Sequence, residues 1–146
     1  MTTAYALTID LPQPLAAAIE TLRAALAAEQ MGIVSEVDVQ ATLKTKLGLH
    51  SHPQKLLGIC SPKVAHAILS AEPDMGAMLP CGCGVAEARP GVTRIALQDP
   101  AVIASATDNP AVHAACELAT AALQRVVARL AHGLANGTTV QPASAT

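Results

Sequence analysis

Aromatic side chains are almost absent from this sequence of 146 residues. It contains no Phe and no Trp, and Tyr5 is its one tyrosine. The hydrophobic core must therefore be built from Ala, Leu, Val, Ile and Met side chains, without the large buried area that aromatic rings supply in other proteins. Such side chains bury less area each, so we expect part of the stability to come from a homodimer interface. The length supports one domain with its own core, so folding requires neither a metal nor a disulfide.

Charge and long apolar runs are also scarce. Only 14% of the residues are charged, and the nine Lys and Arg residues are dispersed, with a net charge of −2. Nucleic-acid binding needs clustered cations or aromatic stacking platforms, so nucleic acid is excluded as a partner. No apolar run approaches the roughly 18 residues that favour a membrane span, so no membrane contact is expected. The N-terminus does not resemble a signal peptide, which predicts a cytoplasmic protein with reduced cysteines, unless they serve redox or metal chemistry.

Hydrophobic periodicity predicts an α+β chain with a single domain over residues 1–134. Strands are predicted near 3–9, 33–39, 55–60, 76–88 and 92–98, and helices near 13–29, 41–48, 62–72 and 110–134, with a further short helix that begins near residue 100. Arg89-Pro90-Gly91 is a turn signal, so the last two strands form a hairpin. The composition changes near the end, which predicts a disordered tail over 135–146.

Two carboxylates lie in the second predicted strand. Ile33, Ser35 and Val37 share one face of this strand, and Glu36 and Asp38 share the other. If the first face meets the helices, the carboxylates lie on the second face of the sheet. There they are either solvated or form an acid/base pair or ligand set in a cleft.

Cys60 stands where a predicted strand becomes a helix. Ser61 suits the N-cap position and Pro62 the first helical position. Backbone N–H groups and the helix dipole at such an end favour a thiolate. His66, about one and a half turns further on, can add positive charge or act as a second ligand. In the alternative interpretation, Cys60 is simply the last buried residue of the strand.

Two further thiols, Cys81 and Cys83, are separated by one residue, so a strand places both on one face. Gly82 and Gly84 on the other face allow another backbone or a ligand to approach closely. Pro80 predicts a bulge or a sheet edge at this point, because proline cannot donate to a strand ladder.

The cysteines allow two kinds of site and one structural alternative. Cys60, Cys81, Cys83 and His66 make a chemically sound Cys₃His set for a soft metal such as zinc. Cys60 and Cys81 make a redox pair if they come within disulfide reach. Cys116 belongs to the apolar stripe of the last helix, which predicts a small buried hydrophobic residue.

Three blocks of the sequence, 33–48, 57–67 and 77–81, resemble the domain-of-unknown-function 302 family over roughly residues 5–132. The resemblance implies a curved antiparallel sheet of four to five strands with helices packed on one face, similar to the TATA-binding-protein-like fold. It also implies a homodimer, and small bacterial members with links to sulfur and redox functions but no agreed reaction. The matching positions are Glu36, Cys60, Pro62, His66, Pro80 and Cys81. The chain departs from the family at Ser61, where Asn is usual, and at residues 82–84, where bulky residues are usual.

Three hypotheses follow for function. In the first, a module handles a thiol, a sulfur species or a soft metal at Cys60 and Cys81, with Cys83 and His66 assisting and Glu36 as proton acceptor. In the second, the protein is a structural or interaction domain that binds a partner or small ligand on its sheet face, and the cysteines are core residues. In the third, Glu36, His66 and Cys60 form the active site of an enzyme. No phosphate loop, nucleophile elbow or zinc-protease motif is present to support hydrolase or nucleotide-dependent chemistry.

Overall fold

The computed structural model describes residues 3–135 of the chain, with Ala135 described by its backbone only. It contains one open antiparallel sheet with the strand order β1-β5-β4-β3-β2. The strands are β1 Ala6–Leu11, β2 Gly32–Asp38, β3 Gln54–Cys60, β4 Cys81–Arg89 and β5 Val92–Gln98. The helices are α1 Leu15–Ala27, α2 Val39–Leu47, α3 Pro62–Ala71, α4 Ala101–Ala104 and α5 Pro110–Ala135, with a 3₁₀ helix at Pro73–Met78. The predicted α+β fold is confirmed.

The predicted strand over 76–88 is wrong in its first half. The chain forms the 3₁₀ helix there, and β4 begins only at Cys81. Pro80 has no amide hydrogen for a ladder and lies immediately before the strand, after a cis peptide bond from Leu79. The bulge predicted at Pro80 is therefore absent, and the irregular pairing of β4 with β5 lies between Ala86 and Arg89 instead.

An extra residue in β2 changes which side chains face the helices. The pairing of β2 with β3 shifts between Ile33 and Ser35, so Ile33 lies opposite Ile59 while Glu36 lies opposite Leu57. Leu57 and Ile59 are both buried on the helix side, and directly paired residues share a face. Ile33 and Glu36 therefore share the helix-side face. The strict alternation predicted from the sequence is wrong here, because a bulge cannot be read from the periodicity.

Two clusters of aliphatic side chains form the core. The larger one lies between the sheet, α1 and α5, and includes Leu22, Leu26, Val85, Ile95, Leu97 and Val126. The smaller one joins α3, the 3₁₀ helix, α4 and the start of α5, and consists of Ile68, Met75, Ile103, Val112, Ala115 and Cys116. The apolar stripe predicted for α5 is buried from Val112 to Leu130 and contributes to both clusters, whereas Leu134, its last predicted member, is exposed.

The helix α5 ends close to the boundary predicted for the domain. The last helix includes Ala135, the first residue of the predicted tail, and the rest of that tail, residues 136–146, lies outside the described residues. Among the helices of residues 3–135, not one is long and apolar enough to cross a bilayer.

Candidate thiol-lined cavity

A cavity of about 320 Å³ lies beside the smaller core cluster. Its walls come from the ends of β3 and β4, from α3 and α4, and from the middle of α5. Apolar side chains form most of the lining, among them Ile59, Val64, Ile68, Leu79, Ile103 and Leu123. The polar side chains of the lining are Ser61 and three cysteines, and no lining residue carries a formal charge. The volume is at the lower end of the range for ligand pockets, so the cavity suits a small, uncharged molecule.

Neighbouring strands bring Cys60 and Cys81 to the same end of the sheet. Cys60 is the last residue of β3 and Cys81 is the first residue of β4, directly opposite Ile59. Both line the cavity and both are half-buried. The two thiols that the sequence singled out therefore share one site, which the sequence alone could not show because they are distant along the chain.

The start of α3 forms one wall of this site. Pro62 is the first helical residue, as predicted. Ser61 holds the N-cap position, but its side chain makes no capping hydrogen bond, so the capping role predicted for it is wrong. Ser61 lines the cavity instead, beside Cys60.

Burial controls the electrostatics of the cavity thiols. The pKa of Cys81 is raised from 9.0 to about 11, first by burial and then by the neighbouring thiols of Cys116 and Cys60. Burial also raises the pKa of Cys116, against the opposing effect of a backbone hydrogen bond from Ala104. Cys81 and Cys116 are therefore neutral thiols at physiological pH, and neither is an activated nucleophile.

Cys83 shares the face of β4 that carries Cys81, as predicted, but it lies outside the cavity. It is 3% exposed and packs in the larger core cluster, opposite Leu57. Burial raises its pKa to about 12. Cys83 therefore packs in the larger core cluster and not in the cavity with Cys60 and Cys81, although it is only two residues from Cys81.

His66 and Glu36 do not line the cavity with Cys60. His66 is exposed on α3, whereas Val64 and Ala65 of the same helix face the cavity. Glu36 is exposed on the edge strand and forms an ion pair with Lys55. The structure therefore does not assemble the trio of Glu36, His66 and Cys60.

The other carboxylate of β2 has a structural role. Asp38 holds the N-cap position of α2 and accepts a hydrogen bond from the N–H of Ala41 at 2.8 Å. It therefore satisfies one of the free amide groups at the start of that helix.

The structure does not assemble the predicted metal site. Within residues 3–135, no three side chains among His, Cys, Asp and Glu are arranged to hold a metal ion. The predicted set fails because Cys83 lies in the other core cluster and His66 is exposed. Zinc bound by Cys60, Cys81, Cys83 and His66 is therefore not supported by this arrangement.

Sequence reasoning missed the third thiol of the cavity. Cys116 is buried in the stripe of α5, as predicted, but it also lines the cavity. Its spacing along the helix is that of any core residue, and no motif surrounds it. Only the packing of α5 against the end of β4 distinguishes it from an ordinary buried cysteine.

Comparison with known proteins identifies the family to which this chain belongs. The model of a domain of unknown function, DUF302, matches residues 7–130. The chain belongs to the DUF302 family. An uncharacterised conserved DUF302 protein from Bacillus stearothermophilus has a similar crystal structure, with 28% sequence identity and a TM-score of 0.72. The match covers 88% of this chain and 97% of that one. A search of curated proteins found no match.

Membership of the DUF302 family confirms the resemblance read from the three sequence blocks. The match to this DUF302 chain runs from the second residue of β1 to residue 130 in α5, and so includes the whole cavity lining. The family carries no assigned activity.

Proposed function

We propose that the protein binds a small, uncharged organosulfur molecule in the cavity, with Cys60 and Cys81 as its thiol contacts. The observation that carries this proposal is the cavity of about 320 Å³, lined by apolar side chains, by these two thiols together with Ser61 and Cys116, and by no charged side chain. Apolar walls favour an apolar ligand, and thiols are soft groups that contact sulfur well. The cytoplasm, which the sequence favours, keeps the thiols reduced and therefore free for this contact.

The chemistry open to such a ligand is thiol–disulfide exchange at Cys60. If the ligand is a disulfide, the Cys60 sulfur attacks one ligand sulfur and the S–S bond breaks. A mixed disulfide forms, and the other half of the ligand leaves as a thiol with the proton from Cys60. Cys60 is the better candidate for this attack, because the raised pKa of Cys81 keeps that thiol neutral.

Two small probes test the proposal. Dipropyl sulfide resembles a dialkyl disulfide but cannot exchange, so it reports binding alone through NMR shifts of the Ile59 and Val64 methyl groups. Dipropyl disulfide reports exchange, through a mass increase that peptide mapping places on Cys60. We expect the neutral disulfide to react at least tenfold faster than oxidised glutathione, which is charged.

A matched pair of variants on α3 provides the control. Ala65 lines the cavity, whereas Ala67 is exposed on the same helix. Ala65→Leu fills the cavity and should abolish both the methyl shifts and the preference for the neutral disulfide. Ala67→Leu should leave both unchanged. If the two variants behave alike, or if dipropyl sulfide shifts no lining methyl group, the proposal is wrong.

A second proposal concerns the partner. We propose that a second copy of the chain covers the β2 edge surface, which we define by five exposed apolar side chains: Val34, Val37, Leu47, Leu49 and Leu56. Their exposed fractions range from 48% to 65%. The nine-residue helix α2, which carries Leu47, has no buried residue at all. Isolated helices of this length are marginal in water, so α2 gains stability if a partner covers it.

The second copy is favoured over other partners for two reasons. The edge strand β2 offers unpaired backbone groups to another strand, and an aliphatic core without Phe or Trp gains from further burial. Val34 belongs both to this surface and to the cavity lining, so a second copy would also limit access to the cavity.

Sedimentation velocity tests the dimer. Leu118 on α5 is 69% exposed and lies outside the β2 edge surface, so Leu118→Lys is the control for Leu56→Lys. We expect a dimer for the wild type and for Leu118→Lys, and a monomer for Leu56→Lys. A monomeric wild type at about 100 μM, or equal behaviour of the two variants, contradicts the proposal.

A further inference from the structure

The cavity contains a second pair of thiols, which involves Cys116. Cys81 and Cys116 both line the cavity and both pack in the smaller core cluster. We propose that Cys81 and Cys116 form an inner dithiol, which binds a small neutral electrophile that condenses with two thiols. This inference rests on the proposed function, because it concerns the same cavity, and it adds Cys116 as a ligand-binding residue.

The sheet geometry favours Cys116 over Cys60 as the partner of Cys81. Cys81 lies directly opposite Ile59, which is buried on the helix side, so the Cys81 side chain also faces the helices. Cys116 lies on α5, in the cluster that packs against Cys81 on that side. Cys60 follows Ile59 in β3, and successive side chains of a strand leave on opposite faces. The Cys60 side chain therefore lines the cavity only because Cys60 is the last residue of β3, at the end of the sheet.

The charge of the cavity defines the ligand class. No charged side chain lines it, and burial raises the pKa of both Cys81 and Cys116. After burial, the thiol of Cys116 is the largest influence on the pKa of Cys81. A cation would require thiolates, which this environment disfavours. The uncharged cavity is better suited to a ligand that reacts with neutral thiols and forms a neutral product than to a cation.

Monosubstituted trivalent arsenicals represent this class. When an arsenic(III) oxide reacts with two thiols, two S–As bonds form and two S–H bonds break. The arsenic loses its oxygen, which leaves with the two thiol protons as water. Arsenic and sulfur keep their oxidation states, so the step needs no oxidant, and the product carries no charge.

Phenylarsine oxide is the probe, and native mass spectrometry is the measurement. We expect one adduct per wild-type chain, with affinity at least tenfold weaker in Cys81→Ala and in Cys116→Ala. Cys60→Ala and Cys83→Ala should retain the adduct. Cys83 is the matched control, because it lies on the same strand and the same face as Cys81 but outside the cavity.

Proteolysis of the wild-type adduct tests the proposal even if the cysteine variants fail to fold. The peptides that carry Cys81 and Cys116 should be joined by one arsenic atom, a result that needs no variant. An adduct that joins Cys60 to Cys81, or one that a folded Cys116→Ala chain forms with unchanged affinity, overturns the inner dithiol. So does a wild type without an adduct. In each case the response to dipropyl sulfide shows separately whether the cavity still binds its ligand.

Discussion

Each cysteine of this chain has its own environment. Cys60 and Cys81 are half-buried at one end of the sheet, Cys83 is buried between the sheet and the helices, and Cys116 is buried in α5. Only Gly82 separates Cys81 from Cys83, yet the two cysteines pack in different clusters. Position in the packing, and not spacing in the sequence, therefore decides which thiols can meet a ligand.

The buried thiols predict a loss of stability at alkaline pH. The pKa is about 11 for Cys81 and about 12 for Cys83, against 9.0 in the unfolded chain. As the pH rises above 9, the unfolded state releases these protons first, so the stabilisation that is complete below pH 9 is lost towards pH 11 and 12. We expect the urea midpoint of the double variant Cys81→Ala/Cys83→Ala to fall less steeply between about pH 8.5 and 11 than that of the wild type. Parallel curves would contradict this account.

Gly58 is the glycine that the packing requires. A Cβ atom at this position would lie 2.2 Å from Ser35 Oγ and 2.6 Å from Pro80 Cγ. Gly82 lies directly opposite on β4, and a Cβ there would meet nothing within 4 Å. We expect Gly58→Ala to cost about 1–3 kcal/mol in the free energy of unfolding, as overpacking does.

The control for this substitution is Gly82→Ala, which should be neutral or stabilise by up to about 1 kcal/mol, because alanine restricts the unfolded chain. Urea unfolding measures both. Equal effects of the two substitutions would mean that the close contacts at Gly58 do not determine its identity.

At the scale of elements, α2 is held at its ends and not by a buried face. Asp38 caps its first turn, and Gly48 ends it in the left-handed conformation, with φ of 65°. None of its residues is buried. Its stability in one chain therefore comes from these local interactions and from its contacts with β3.

Asp38→Ala tests this description of α2. Loss of the bond to the Ala41 N–H should destabilise the helix by about 1 kcal/mol, as for other N-caps. Hydrogen exchange at the amides of Leu43 to Leu47 should accelerate about fivefold, while amides of β4 and β5 keep their protection, because α2 buries nothing in the core. Faster exchange throughout the sheet would instead show that α2 is coupled to the core. Thr45→Ala, an exposed position of the same helix that is remote from Asp38, is the control.

The order of the elements could be predicted from the sequence, because each depends on local signals. The stripe of α5 from Val112 to Leu130 and the turn at Gly91 are both local, and the structure has them where the sequence predicted them. The bulge after Ile33 and the late start of β4 were missed, since both depend on pairing with other strands. The sequence could state that a site requires Cys60 and Cys81 to lie close together, but it could not show that they do. No local sequence signal marks Cys116 as a residue of the cavity lining.

At the scale of the whole molecule, Glu87 joins the sheet to α1. The N-terminus of α1 has no side-chain cap of its own, because Pro14 occupies the N-cap position. Glu87, 72 positions further along the chain, accepts a hydrogen bond from the Leu15 N–H at 2.8 Å through one oxygen. Its other oxygen accepts a bond from the Gly91 N–H at 2.9 Å, in the turn between β4 and β5. One carboxylate therefore connects the hairpin with the first helix.

This connection predicts a dependence of stability on acid pH. The two backbone bonds, from Gly91 first and Leu15 second, hold the pKa of Glu87 below its usual 4.5. The lowered pKa means that the stabilisation is complete above pH 4.5 and is lost as the pH falls through the folded-state value. Glu87→Gln should lower the melting temperature at pH 7, because the amide N–H₂ of glutamine cannot accept one of the two bonds. It should also reduce the loss of stability between about pH 5 and 3.

The matched control is Glu20→Gln, since Glu20 is exposed on α1 and forms only an ion pair with Arg23 within the same helix. That pair is a surface interaction of little expected effect, so the variant should follow the wild-type curve. Calorimetric melting temperatures at both pH values separate the two variants. If Glu87→Gln also follows the wild type, the hairpin and α1 are held together by their shared apolar core alone. The carboxylate bridge would then follow from the fold without stabilising it.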